Sequence, residues 1–276
     1  TEQRKLIGTV SAKELMTEDD EMQIGELMEK ELISVRTHTD QEEVARLFRK
    51  YDLIAIPVLD EEDYMVGIVT FDDAMDVMVE EATEDITKMA AMNPSEKTYF
   101  ETSVLSHAKN RIPWLLILMF TSIITGTIIN EYEEAFAAIP LLVSFIPMLM
   151  DTGGNCGSQS STLIIRGLAL SQIRFRDIFR VVFKEFRISL VVGAVLSVTN
   201  GIRIMIQYQD AALALVIALS LIGTVVAAKM VGCMLPLLAS KIHLDPAIMA
   251  SPLITTLVDI FSILIYFNIA THLFNL

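Results

Sequence analysis

Five apolar stretches in the second part of the chain constrain its fold more than any other feature. Each is about 20 residues or longer, the length a helix needs to cross a bilayer. They cover roughly residues 112–130, 135–165, 186–207, 211–240 and 247–276. A large soluble helical core is the alternative, but its helices would show polar faces at the helical period. Residues 213–226 are apolar almost all round. The reading is a membrane domain of five helices over residues 111–276.

That domain is nearly neutral, with 9 Asp/Glu against 10 Lys/Arg, whereas residues 1–110 hold 26 Asp/Glu against 11 Lys/Arg. The formal charge of −14 therefore belongs entirely to the first part. A pI of 4.7 sets nucleic acid aside as a partner, since phosphate binding wants a basic surface. An acidic surface suits solubility and divalent cations instead. Cys156 and Cys233 both lie in the apolar part and read as buried thiols rather than a disulfide framework. The opening Thr1-Glu2-Gln3-Arg4 has neither an initiator methionine nor the basic-then-apolar pattern of a signal peptide. It reads as the start of a fragment of a longer protein.

Basic residues flanking the spans predict orientation. The connection between the second and third spans carries Arg166, Arg174, Arg176, Arg180, Lys184 and Arg187, which places it in the cytoplasm. Lys109 and Arg111 before the first span, and Lys241 and His243 between the fourth and fifth, fall on the same side. The acidic Glu131-Tyr132-Glu133-Glu134 loop falls outside; only Arg203 dissents. The expectation is a multi-pass protein of the plasma (inner) membrane, N-terminus cytoplasmic and C-terminus outside.

An unpaired charge in mid-bilayer costs at least a few kcal/mol, so polar groups inside the spans point to function. Asp259 sits about twelve residues into the fifth span, about 18 Å from its cytoplasmic end. Asp151 sits about 16 residues into the second, about 24 Å from the outer end. Each is either a cation-facing carboxylate or a protonated, hydrogen-bonded structural acid. Lys229 in the fourth span either snorkels or pairs with a carboxylate. The most unusual segment is Pro147-Met148-Leu149-Met150-Asp151-Thr152-Gly153-Gly154-Asn155-Cys156-Gly157-Ser158-Gln159. Its glycines allow either close helix packing or a break that exposes carbonyls. Carbonyl, amide and carboxylate oxygens together form a polar constriction that favours a hard cation such as Mg²⁺ or Ca²⁺.

In the acidic part, residues 32–35 read as a strand, and Thr39-Asp40-Gln41-Glu42 caps a helix over 43–51. Strands over 54–59 and 65–69 follow, and Thr70 caps a helix from about Asp72. Leu6-Ile7-Gly8-Thr9-Val10-Ser11 and residues 12–16 echo the last strand and helix, as in a tandem repeat whose first copy is truncated. This order resembles the CBS domain, with Ile56-Pro57-Val58-Leu59-Asp60 and Gly67-Ile68-Val69-Thr70-Phe71-Asp72-Asp73 at the expected places. The resemblance implies a nucleotide site, with ATP as ligand, at Thr70 and Asp73, and a weaker version at Ser11 and Glu14. The same residues serve equally as helix N-caps. The helix from Asp72 carries Asp73, Asp76, Glu80, Glu81, Glu84 and Asp85, several on one face. It is either a solvated surface or a face whose repulsion a divalent cation relieves.

Together these features resemble the MgtE family of magnesium channels and transporters, over the whole chain. The most specific elements are Gly-Gly-Asn-Cys-Gly-Ser-Gln over 153–159, Asp245-Pro246-Ala247, and Thr255-Thr256-Leu257-Val258-Asp259. The resemblance implies a multi-domain architecture. A truncated α/β CBS-type cytosolic domain (1–71) is followed by a long acidic connecting helix (72–110) and an all-α five-span membrane domain (111–276). It also implies a homodimer in the lipid bilayer, its pore lined by the second and fifth spans. Asp259 matches the pore carboxylate holding a largely hydrated Mg²⁺, and Asn155 with the Gly153 and Gly154 carbonyls matches the constriction. Asp151 and Thr255 line the same path, and Ser251 stands where some members carry Asn. Asp73, Asp76, Glu81, Glu84, Asp85 and Asp245, with Glu42 and Asp52, match carboxylates that bind regulatory Mg²⁺ and lock the pore shut. A further N-terminal helical domain of the family does not occur in this sequence. The alternative is a proton- or sodium-coupled divalent-cation carrier using Asp151 and Asp259 as a relay. A structural anchor for the CBS sensor fits the polar second span poorly. An enzyme finds no support: no nucleophile–base pair, His-rich cluster or Walker-type loop is present.

Overall fold

The short apolar runs of the acidic part, rich in β-branched residues, pair as strands. In the computed structural model, which describes residues 5–19, 21–95, 97–249 and 251–275 (side chains of 134–136 and 251 excepted), the chain divides into two units, 1–83 and 84–276. The first opens with helices α1 (Ala12–Thr17) and α2 (Ile24–Leu27). Strand β1 (Val35–Arg36), helix α3 (Gln41–Tyr51), strands β2 (Ala55–Leu59) and β3 (Met65–Thr70) and helix α4 (Phe71–Met89) follow. The sheet order is β1-β2-β3, with β1 and β2 parallel, β2 and β3 antiparallel, and a register shift at Val58/Leu59. Val44 and Phe48 on the apolar stripe of α3 meet Val35, Ile56 and Ala74, forming the core. The expected strand over 6–10 makes only isolated pairings, Lys5 with Tyr64 and Thr9 with Glu29.

The acidic helix stops at Met89 rather than running to residue 110. Ala91 takes the left-handed conformation (φ 52°), the Met92 N–H donates to the Thr87 carbonyl, and Asn93-Pro94 follows. That is a helix C-terminus with a proline just beyond it.

The second unit continues with α5 (Val104–Glu131), α6 (Glu133–Ala138), α7 (Ile146–Ala169), α8 (Ile178–Tyr208), α9 (Ala211–Lys241) and α10 (Ser251–Phe274). The second apolar stretch is therefore not one helix. Proline lacks an N–H and fixes its own φ, and a 3₁₀ turn from Pro140 to Phe145 precedes α7. Asp151 consequently lies only about 8 Å along α7, not about 24 Å into a helix from Ala135. Helix α9 packs against α7, α8 and α10, and α5 packs on α10. Leu142, Phe145, Leu149, Ile217, Tyr266 and Phe267 form the core at one end, where the Tyr266 hydroxyl donates to the Leu142 carbonyl at 2.8 Å.

Among the described residues, α5, α9 and the segment Pro246–Phe274 are long and apolar enough to cross a membrane. Helix α7 breaks its apolar run with polar residues, and α8 opens with Arg180, Lys184, Glu185 and Arg187. Among the described residues, length and composition thus mark three of the five expected spans, and α7 and α8 carry the other two apolar stretches. On α5, Phe120 and Ile123 are each 60% exposed, an apolar surface suited to lipid rather than water.

Candidate functional site

The glycines of α7 are contact points, and α7 is an unbroken helix through them. A Cβ on Gly153 would lie 2.8 Å from atoms of Thr224, Val258 and Ser262, and one on Gly157 would lie 2.7 Å from Ile254. Gly154 faces Thr255 at 2.9 Å, and Gly232 of α9 abuts the Gly157 backbone. Small residues let the three helices approach this closely. The close packing also fixes the rotation of α7. Gly153 and Gly157 turn inward, and Asp151, Asn155 and Gln159, spaced four residues apart, form an exposed polar stripe.

Helix α10 runs antiparallel beside it, with Ile254, Val258 and Ser262 buried. Thr255 and Asp259, one turn apart, are half-buried next to that buried row. Asp151 and Asp259 are carried by two helices that pack against each other. The Thr255 hydroxyl donates to the Pro252 carbonyl at 2.9 Å, leaving its oxygen lone pairs available. Asp151, Asn155, Thr255 and Asp259 thus belong to one pair of helices and offer oxygen ligands only. Gly153 and Gly154 are buried, and the side chain of Ser251 lies outside the described residues.

Sequence reasoning missed Glu185. It follows Lys184 and precedes Arg187, so it read as part of a basic loop, but α8 begins at Ile178 and carries Glu185 into the bundle. There it is 6% exposed and pairs with Lys229, itself 5% exposed, at 3.7 Å. Ser160 of α7 bridges them, donating to Glu185 at 2.7 Å and accepting from Lys229 at 3.1 Å. Lys229 therefore pairs rather than snorkels, and three helices are tied by one buried network.

Most of the acidic candidates already have local partners. Asp73 accepts from the Thr70 hydroxyl at 2.6 Å and from its N–H at 3.3 Å, which caps α4. Ser11 and Glu14 form a reciprocal capping box at α1, the Ser11 hydroxyl accepting from the Glu14 N–H and the Ser11 N–H holding the Glu14 carboxyl below its ordinary range. Glu42 pairs with Arg46, Glu81 accepts from Gln41 at 2.8 Å, and Asp52 adopts the left-handed cap of α3. Asp76 is exposed, and Asp85 is half-buried.

Lys88 sits between Glu84 and Asp245, donating to Asp245 at 2.7 Å and bridging to Glu84. Burial opposes its charge, but those hydrogen bonds outweigh burial and raise its pKa above the ordinary lysine range. Asp245 also accepts from the Ala247 N–H at 2.8 Å. Among the described residues, no three His, Cys, Asp or Glu side chains converge as a metal site.

Two family descriptions match this chain: the divalent cation transporter domain MgtE over residues 146–269 and the CBS domain over residues 24–80. The chain is 42% identical over 270 residues to the magnesium transporter MgtE of Bacillus subtilis, covering 98% of this chain and 59% of that protein. It is 40% identical over 271 residues to the magnesium transporter MgtE of Thermus thermophilus, covering 98% and 60%. It thus spans about 60% of the length of the curated relatives it matches. A crystal structure of the cytosolic domain of the Mg²⁺ channel MgtE in complex with ATP is 47% identical over 28% of this chain and 31% of that one, with a TM-score of 0.28. The CBS-type unit and the helical unit with its candidate spans agree with the two family matches: residues 24–80 are similar to the CBS domain and residues 146–269 to the divalent cation transporter domain of the MgtE family.

Proposed function

We propose that this protein carries Mg²⁺ across the plasma membrane along the polar face of α7 and α10. One observation carries the reading. In helices built to lie in lipid, Asp151, Asn155, Gln159, Thr255 and Asp259 stand clear of the buried core. Polar groups at that depth must meet water or another protein surface. A homodimer with this face at its two-fold axis satisfies the requirement and brings two copies of Asp259 together, with a divalent ion offsetting their repulsion. Helices α5, α7, α8, α9 and α10 are the five spans, with the N-terminus cytoplasmic. The similarity to magnesium transporters supports Mg²⁺ among hard cations, and the proposed chemistry is transport rather than catalysis.

Regulation belongs to the same proposal. Cytosolic Mg²⁺ bound by the carboxylates of α4 and by Asp245 favours a closed pore. Oxygen-only donors suit the ion, but Lys88 now holds Glu84 and Asp245, so an ion reaching both must displace its ammonium. Moving such a switch from 1:99 to 99:1 takes about 5.5 kcal/mol of differential binding, which several weak sites acting together supply. ATP at Thr70 and Asp73 requires their mutual hydrogen bond to open. The placement of Asp151 and Asp259 on the packed pair α7 and α10 also favours a second reading, a proton- or sodium-coupled carrier. A reversal potential that moves with pH or Na⁺ identifies the carrier.

Asp259→Asn tests the main reading. It sharply reduces Mg²⁺ uptake by magnesium-starved cells while leaving the protein folded. Normal uptake by a well-folded variant contradicts it.

A further inference from the structure

The connection between α7 and α8 borders a cavity of about 430 Å³ that neither the ion path nor the acidic region uses. Leu163, Ile173 and Ile188 give it an apolar wall, and Arg180 and Lys184, one turn apart on α8, supply charge. The two carboxylates that border it are already engaged. Asp177 accepts from the Arg174 N–H at 3.1 Å, and Glu185 is held by Ser160 and Lys229. Arg180 and Lys184 are exposed, and among the described residues neither has a carboxylate within ion-pair distance. The cavity therefore sets two unpaired cations above an apolar slot.

Its surroundings indicate the occupant. Phe179 and Phe183 are 86% and 64% exposed, and the Arg187 guanidinium lies 5.9 Å from the Phe183 ring centre. Exposed phenylalanines interleaved with basic residues are the pattern of a helix surface that lies at the membrane interface. A free phosphate ion answers the two cations but not the apolar wall; a phosphate carrying acyl chains answers both. Basic pockets beside membrane helices on the cytoplasmic side hold anionic head groups for this reason. We propose that the cavity binds an anionic phospholipid of the cytoplasmic leaflet, its phosphate on Arg180 and Lys184 and its chains along Leu163, Ile173 and Ile188. Because Glu185 also holds Ser160, the lipid sits next to a network that reaches the helix bearing Asp151 and Asn155.

Native mass spectrometry of the full-length protein in detergent, titrated with phosphatidylglycerol or phosphatidylcholine of matched chains, tests this without any transport step. Its outcome is therefore independent of the ion path. Phosphatidylglycerol is retained preferentially. Arg180→Gln/Lys184→Gln weakens that retention about 25-fold, at about fivefold per basic residue, and Lys109→Gln leaves it unchanged. Equal retention of the two lipids, or a double variant that keeps the preference, overturns the proposal. So does inorganic phosphate binding as tightly as the lipid. If the double variant does not fold, photo-crosslinkable phosphatidylglycerol on the wild-type protein decides. Label at residues 163–164 or within 172–188 supports the site, and label only elsewhere overturns it.

Discussion

Replacing Lys229 by methionine removes one charge from the network that ties α7, α8 and α9, and leaves the other behind. Glu185, 6% exposed, keeps only the Ser160 hydroxyl at 2.7 Å. Breaking a buried ion pair from one side costs about 3–5 kcal/mol, because the remaining charge is stranded away from water. Membrane interiors do not relax this, since lipid supplies no hydrogen bonds. Removing both charges together, in Lys229→Met/Glu185→Gln, costs much less than the two single changes summed, because no bare charge remains. The expected coupling is at least about 2 kcal/mol, within the range for contacting residues. Equilibrium unfolding of the purified protein in mixed micelles measures all four corners of the cycle. Additive single and double variants would refute the argument and reduce the 3.7 Å contact to two independently solvated groups.

Glycine packing gives a comparison within one molecule. A Cβ at Gly232 would sit 3.0 and 3.1 Å from the Gly157 C and Cα and closer still to its carbonyl oxygen, whereas a Cβ at Gly126 meets nothing within 4 Å. Overpacking predicts that Gly232→Ala loses about 1–3 kcal/mol, and helix propensity predicts that Gly126→Ala gains up to about 1 kcal/mol. Thermal melts in detergent check both signs. For regulation, neutralising Glu81, Glu84 and Asp85 together leaves the pore open at high internal Mg²⁺ in patch-clamp recordings. Unchanged inhibition returns the acidic face to a solvated surface. The Lys88 ammonium stays charged at neutral pH, and its contribution to the bridge is lost only in strongly alkaline solution, above the ordinary lysine value, since its pKa is raised. Lys88→Gln therefore shifts the Mg²⁺ concentration needed for closure at neutral pH; an unshifted response means that the ammonium does not compete with the ion.

What could be read from the residues follows from how local the signals are. Short apolar runs over Ala55–Leu59 and Met65–Thr70 around an acidic turn, with the Asp40 cap, placed the second CBS repeat because each feature acts within a few residues. The end of α4 had a local signal as well, Asn93-Pro94, which the continuous acidic pattern outweighed. Pro140 and Pro147 marked the turn before α7, but the unbroken apolarity of that stretch hid it. The role of the glycines was legible only as two alternatives. Choosing between packing and breakage requires knowing that Thr224, Val258 and Ser262 lie opposite, which is information from distant segments. Glu185 was hidden for the same reason. Its partner is 44 residues away in α9, and its neighbours in the chain are lysine and arginine.

The claim that the polar stripe faces the ion path is tested most directly by cysteine accessibility. Cys156 and Cys233 are both buried, so replacing them gives a silent background. Single cysteines are then placed at Asn155 and Thr255 on the stripe and at Val195, 61% exposed among the apolar residues of α8. A membrane-impermeant, water-soluble thiol reagent applied to protein in vesicles should label positions 155 and 255, with Mg²⁺ slowing the reaction, and leave 195 unlabelled. Labelling of 195 with 155 and 255 inert, or labelling of the stripe that Mg²⁺ does not affect, contradicts an ion path between α7 and α10.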